Sequence, residues 1–126
     1  MLIKDDKKLK EIQAEFHERF PYLRLEFYSR HHEINEGSPV RQVLKGEKTI
    51  GEARKVHNTG ELSIDGHQKV STLEQNFFEM YDLNVQVFRR SGGVWLQTTK
   101  TDDWTLAEQN ERGKSETEFY AETHGI

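Results

Sequence analysis

The sequence contains no cysteine among its 126 residues. Disulfides, thiolate zinc sites, iron–sulfur clusters and cysteine nucleophiles all require that side chain, so these four kinds of site are excluded together. A chain without thiols is compatible with a reducing compartment, and we expect a cytoplasmic protein.

Long apolar runs are missing as well, and the mean hydropathy is −0.90. A membrane-spanning helix needs about 18 or more consecutive apolar residues. The first residues, from Met1 to Asp6, lack the apolar stretch of a signal peptide. We therefore expect a soluble, unexported protein that does not enter a membrane.

The motifs of several large enzyme classes are also missing. The sequence has no glycine-rich nucleotide loop, no GxSxG motif and no HExxH motif, and it predicts neither catalytic residues nor a cofactor. Asp102 and Asp103 are adjacent carboxylates, but residues of this type before a helix more often cap it than act as an acid and a base. A metal site or enzyme built from His57, Asp65 and His67 remains an alternative, because these side chains lie near a possible turn.

Charge is unevenly distributed along the chain. The net charge is −4, and from Asp102 onward seven acidic residues are balanced by only two basic ones. Residues 1–101 are therefore almost neutral and lack the basic surface of proteins that hold nucleic acid through its phosphates. This distribution disfavours nucleic acid as the partner.

The sequence does contain an apolar pattern that occurs twice, 61 residues apart. In each copy the spacing fits a strand followed by one face of a helix. The first copy consists of Ile3, Leu9, Ile12, Phe16 and Phe20, and the second of Ile64, Val70, Leu73, Phe77 and Tyr81. Strand-like runs follow at residues 22–30 and 84–90, so the pattern predicts two strand–helix–strand units.

Two such units in succession predict an α+β fold. They can cover each other in a four-stranded antiparallel sheet with both helices on one face, the ferredoxin-like arrangement. The copies span about residues 1–30 and 61–90, and residues 31–60 connect them. A further hairpin strand and a helix complete a single domain at residues 1–113, and we expect residues 114–126 to be a flexible, polar, acidic tail.

The ends of the two repeated helices are predicted from short polar side chains. Asp5 or Asp6 is the expected cap of the first helix, which Pro21 ends. Residues 71–75 contain two overlapping capping boxes, so the second helix is expected to start at Ser71 or Thr72.

Two further helices are predicted outside the repeat. Thr49 with Glu52, and Thr105 with Glu108, have the spacing of a capping box, in which the threonine and the glutamate satisfy free N–H groups of the first turn. Gly113 is the expected end of the last helix, because glycine is common just past a helix C-terminus.

The last two strands are expected to form a hairpin with its turn at residues 91–92. This register places Phe88 opposite Trp95 and Val87 opposite Leu96. One face of the hairpin is then aliphatic, and the other is aromatic and polar.

Strand alternation gathers one set of side chains on the sheet face opposite the helices. The set consists of Arg24, Tyr28, Gln86, Phe88, Arg90, Trp95 and Gln97. Aromatic side chains beside arginines can anchor a protein partner or stack on bases. We expect a protein-interaction module without catalytic activity that self-associates through this face or through a strand edge. Binding of single-stranded nucleic acid to the same face is one alternative. In the other, the helix that starts at Thr105, the 31–60 connector or a second subunit covers Phe88 and Trp95 as ordinary packing contacts.

Overall fold

The structure is a computed structural model that describes residues 1–29, 31 and 35–125. Its helices are α1 (Leu9–Arg19), α2 (Ile50–Ala53), α3 (Val70–Tyr81) and α4 (Leu106–His124). Its strands are β1 (Leu2–Ile3), β2 (Leu23–Tyr28), β3 (Gly60–Glu61), β4 (Asn84–Ser91) and β5 (Val94–Gln97). The predicted α+β class is confirmed. Arg30, the predicted last residue of the first long strand, lies outside the described residues.

The repeated apolar pattern forms the hydrophobic core. All ten of its residues are buried, and they cluster with the inward-facing side chains of β2 and β4, namely Leu23, Leu25, Phe27, Val85 and Val87. Each helix buries one stripe and each of these strands buries one face, so neither copy can shield its apolar side chains alone. The two copies therefore share one core.

The two copies are related by an approximate twofold axis. Leu25 and Val87 occupy equivalent positions in the repeat, and they also face each other across the antiparallel pair β2–β4. At the other end of the molecule β1 pairs with β3, and Leu62 N donates to Met1 O at 2.8 Å. Main-chain hydrogen bonds thus join the two halves at both places, in β1–β3 and in β2–β4.

The strands form two sheets, with orders β1-β3 and β2-β4-β5. The ferredoxin-like arrangement, with one continuous four-stranded sheet, is therefore not confirmed. The second edge of β2 is occupied by side chains of α1. Gln13 Nε2 donates to Leu25 O at 2.9 Å, and His17 Nδ1 lies 2.8 Å from Leu23 O. The connector covers the remainder of this edge, where Leu44 N donates to Phe27 O at 2.8 Å, and β3 is not paired with β2.

The predicted caps of the two repeated helices are wrong. Lys8 and Lys69 are the observed N-caps, rather than residues 5–6 and 71–72. The free N–H groups of the first turns bond to distant main chain instead. Leu9 N donates to an oxygen of the loop before α2, Lys48 O, at 2.9 Å, and Val70 N donates to the loop before α4 at 3.0 Å. Long-range contacts of this kind leave no local sequence signal.

The two capping boxes at Thr49 and Thr105 are confirmed, and both threonines accept from the glutamate N–H three residues later. The predicted end of the last helix at Gly113 is wrong, since α4 continues to His124. Residues 114–124, predicted as a polar tail, are therefore helical. Gly113 is buried against β2 in the middle of the helix.

The predicted hairpin register is also wrong. The turn lies at Gly92 and Gly93, where Gly92 has a φ of +62°, so Phe88 faces Gln97 and Arg90 faces Trp95. A shift of one residue at the turn displaces each pair by two residues, which leaves every side chain on its predicted face.

Candidate interaction surface

The predicted face lies on β2, β4 and β5, and its centre is a cluster of four side chains. Arg24 Cζ lies 5.2 Å from the ring centroid of Phe88 and 5.0 Å from that of Trp95. Arg90 Cζ lies 5.5 Å from the Trp95 centroid. Two guanidinium groups therefore hold the indole by cation–π contacts. We call these four residues the aromatic–arginine cluster.

The contacts within this cluster bear on the nucleic-acid alternative. Bases stack on exposed aromatic faces, but the Trp95 ring is flanked by Arg24 and Arg90 and has the His17 ring at its edge, 6.3 Å away. Arg24 also lies 3.3 Å from Glu26 in an ion pair. The arginines and the ring are thus engaged with one another, which weakens the case for a base-stacking platform.

The other end of the predicted face is covered by the connector. Tyr28 and Gln86 are only 1% and 0% exposed. Gln97 exchanges two hydrogen bonds with the main chain of Ser38, at 2.9 and 2.8 Å. Nearby, Asp102 Oδ2 accepts from Asn35 N at 2.9 Å, so this carboxylate anchors the connector. The four residues of the aromatic–arginine cluster are half-buried, whereas Tyr28 and Gln86 are buried.

Burial under the connector changes the chemistry of Tyr28. Desolvation, with a smaller contribution from the Glu26 carboxylate, raises the pKa of the Tyr28 phenol to about 12. The buried Tyr28 hydroxyl and Gln86 Oε1 have no hydrogen-bond partner among the described residues. Sequence alternation placed both residues on this face but could not show that the connector covers them.

One edge of β5 is unpaired within the described residues. Arg90 N donates to Tyr22 O and Thr98 N donates to Val87 O, which sets the alternation of main-chain groups along β4 and β5. The N–H and C=O groups of Trp95 and Gln97 consequently point away from β4. No described strand pairs with them.

The side chains of β5 are apolar or uncharged along its whole length. Val94 is 55% exposed and Leu96 is 41% exposed, on the face that also carries Ser91 and α4. Trp95 and Gln97 lie on the opposite face, beside the aromatic–arginine cluster. The free edge is therefore flanked by apolar surface on one side and by an aromatic ring on the other.

The three candidate metal ligands, His57, Asp65 and His67, make hydrogen bonds within the protein. His57 Nδ1 lies 2.8 Å from Asp5 Oδ2, while Asp65 Oδ1 accepts from the His67 main chain at 2.7 Å. Among residues 1–29, 31 and 35–125, no group of three or more His, Asp and Glu side chains is arranged to hold a metal ion.

Asp5, predicted as a helix cap, instead belongs to an ion-pair cluster around the buried Arg54, which the sequence did not reveal. The side chain of Arg54 is fully buried, and its Nη2 lies 2.9 Å from Asp5 Oδ1. Desolvation raises the pKa of the Asp5 carboxyl, but hydrogen bonds from Arg54 and His57 outweigh it and hold the pKa below its usual value. The cluster joins the loop before α1 to the segment after α2.

A cleft lies between α2, the end of β2 and the end of α3. Its volume is ≈ 440 Å³. The lining residues are Ser29, His31, Leu44, Lys48, Glu52, Ala53, Arg54, Lys55, Phe78, Asp82 and Asn84. The sequence patterns did not predict this cleft, because its walls come from five separate segments.

Comparison with known proteins gives no family assignment: no protein-family model, curated protein or solved structure shows a significant match to the chain. In the described part of the chain, no helix combines the length and apolar character needed to cross a lipid bilayer.

Proposed function

We propose that the protein is an interaction module that self-associates by pairing the free edge of β5 with the same strand of a second copy. Natural edge strands are usually protected by lysine, proline, a bulge or a covering segment. The edge of β5 carries only valine, tryptophan, leucine and glutamine. This uncharged, unpaired edge is the observation that carries the proposal. A cytoplasmic location remains a prediction from composition.

The pairing is antiparallel and centred on Leu96. Trp95 then exchanges main-chain hydrogen bonds with Gln97 of the second copy, and the reverse pair forms across the twofold axis. Leu96 meets Leu96 of the second copy at a close, non-hydrogen-bonded position, which removes its exposed surface from water. The result is a continuous six-stranded sheet.

The aromatic–arginine cluster supports this contact. Trp95 lies directly at the free edge, and Arg24 and Arg90 hold its ring in place before any partner arrives. A side chain that is already ordered loses less conformational entropy on binding. Trp95 and Phe88 therefore act as preformed anchors on one face of the extended sheet.

Replacing Leu96 by lysine tests the proposal. The side chain is exposed in the single chain, so stability should change little, but a charge at the twofold axis should weaken self-association by about 100-fold. Val56→Lys is the matched control, because Val56 is 49% exposed and lies after α2, away from the connector residues that contact Gln97. Sedimentation velocity over a range of protein concentrations measures both variants.

Replacing Trp95 by alanine gives a second test. We expect a monomer that remains folded by circular dichroism. A protein that is monomeric before any substitution, or one in which Leu96→Lys and Val56→Lys associate equally well, contradicts the proposal. Loss of folding in Trp95→Ala would instead identify Trp95 as part of the stabilising core.

A further inference from the structure

The two halves of the chain use equivalent helices of very different length. Thr49 caps α2 and Thr105 caps α4, and each of these helices pairs its first turn with the start of the repeated helix in its own half. α2 has four residues, whereas α4 has 19 residues. Within the described ranges, the second half therefore contains a helical segment that has no counterpart in the first half.

The additional length of α4 covers the start of β2 and the end of β4. Gly113 packs against Tyr22, and Ser91 Oγ donates to Glu116 Oε2. In the repeat, Tyr22 corresponds to Asn84 and Ser91 corresponds to Ser29. Both of these counterparts line the cleft. The cleft thus lies where a longer α2 would pack, on a surface whose counterpart receives a helix.

The cleft has an aromatic floor and a basic rim. The His31 and Phe78 rings stack with centroids 3.6 Å apart, and both face the cleft. Lys48 and Lys55 are exposed at its edge. Two carboxylates lie beside them. That of Glu52 is bonded to the main chain and hydroxyl of Thr49, and that of Asp82 accepts from Lys55 N at 2.9 Å. This chemistry suits an acidic helix that carries an aromatic side chain.

The outward face of α4 has this composition. Phe119 is 67% exposed, although it is a large apolar side chain. Glu118 and Glu122 are exposed on the same part of the helix, and they are spaced as neighbours on one helix face. The inward face of the same segment is held in place, because Tyr120 packs on Gly92 at the hairpin turn.

We infer that the cleft receives the outward face of α4 from a second copy of the chain. Phe119 enters between Phe78 and Leu44, and the glutamates approach Lys48 and Lys55. The contact joins unlike surfaces, so it can repeat from one chain to the next in rings or open chains. It therefore goes beyond the proposed β5 pairing, which produces dimers.

Charge reversal on each side of this contact provides the test. Lys48→Glu/Lys55→Glu and Glu118→Lys/Glu122→Lys should each weaken assembly beyond the dimer by about tenfold, since like charges then face each other. Combining all four substitutions should restore assembly to within a few-fold of the original. Lys45→Glu/Lys100→Glu is the control for the lysine variant, because it changes the net charge by the same amount in the same direction and lies outside the cleft lining.

The measurement is sedimentation velocity at low and at high salt, with circular dichroism to establish that each variant is folded. We expect species larger than a dimer that dissociate as salt screens the ion pairs. The inference is overturned if the two charge-reversed variants match the control, or if the fourfold variant fails to recover assembly. Phe119→Ser gives an independent check and should also lose the larger species.

The same variants separate the contact through the cleft from the pairing through β5. Leu96→Lys should leave association through the cleft intact, and Lys48→Glu/Lys55→Glu should leave a dimer. A dimer that persists in every cleft variant and disappears with Leu96→Lys supports the β5 pairing alone. Larger species that persist with Leu96→Lys and disappear with the cleft variants support the cleft alone.

Discussion

Gly113 lies directly against the main chain of Tyr22. A Cβ atom at position 113 would lie 2.9 Å from Tyr22 Cβ and 3.1 Å from Tyr22 O. One turn earlier in α4, Asn110 Oδ1 accepts from Tyr22 N at 2.9 Å. The missing side chain at Gly113 therefore lets α4 approach β2 closely enough for this hydrogen bond to form.

Replacing Gly113 by alanine should lower the free energy of unfolding by about 1–3 kcal/mol, because the new methyl group must displace backbone. Helix propensity alone predicts the opposite sign, a gain of about 1 kcal/mol. Urea denaturation measures the change. Ser115→Ala, at an exposed position of the same helix, is the control and should be neutral or slightly stabilising. Equal stability of the two variants would show that the close approach has no energetic consequence.

Arg54 should be among the most sensitive polar positions. Its buried guanidinium donates to the Asp5 carboxylate, to Asn58 and to Tyr81 O. Replacing it by alanine leaves these acceptors without their donor, so we expect the free energy of unfolding to fall by about 2–4 kcal/mol. Thermal and urea unfolding measure the loss.

Lysine at position 54 should not restore the stability, because one ammonium group cannot reproduce the forked contact with Asp5. Lys55→Ala changes the neighbouring, exposed cation and should cost less than about 0.5 kcal/mol. If Arg54→Lys is as stable as the original protein, the forked geometry is not what Arg54 contributes.

The raised pKa of the Tyr28 phenol should make the stability of the protein depend on pH in the alkaline range. The folded protein raises the pKa of this phenol from 10.0 to about 12, so at high pH the unfolded chain loses its proton before the folded chain does. Stability is therefore retained below pH 10 and falls as the pH rises from about 10 toward 12. Urea denaturation at several pH values, compared with Tyr28→Phe, isolates this contribution.

Tyr28→Phe should also be tolerated at neutral pH. Its hydroxyl is buried without a partner among the described residues, so its removal should change the free energy of unfolding by between zero and about 1 kcal/mol in the stabilising direction. A large loss of stability would mean that the hydroxyl makes an interaction. An alkaline decline that is identical in the two proteins would assign it to other groups.

The repeated core and two of the helix caps could be predicted from local patterns. Ile12 and Leu73, for example, are buried because a spacing of three or four residues puts them on one helix face. Thr49 and Thr105 were identifiable as caps because a capping box is completed within four residues. Each of these features is decided by neighbours in the chain.

The aromatic and basic side chains of the candidate surface were predicted on the correct face, but not their surroundings. Trp95 lies beside Arg90 rather than Phe88, since the turn falls at Gly92 and Gly93. Tyr28 is covered by a connector whose course has no periodic pattern. The alternation of residues along a strand determines the sheet face on which a side chain lies. Whether that side chain is buried depends on a segment that is distant in the sequence.

The amino-acid sequence by itself determined that two similar units would bury one shared apolar core, because periodicity follows from helix and strand geometry. Only the tertiary structure decided which strands pair, where α1 and α3 begin, and that Gly113 lies within a helix. These features depend on main-chain groups such as Lys48 O and Tyr22 O meeting residues far away in the chain. Long-range contacts of this kind depend on the packing of the whole domain, which no local sequence pattern encodes.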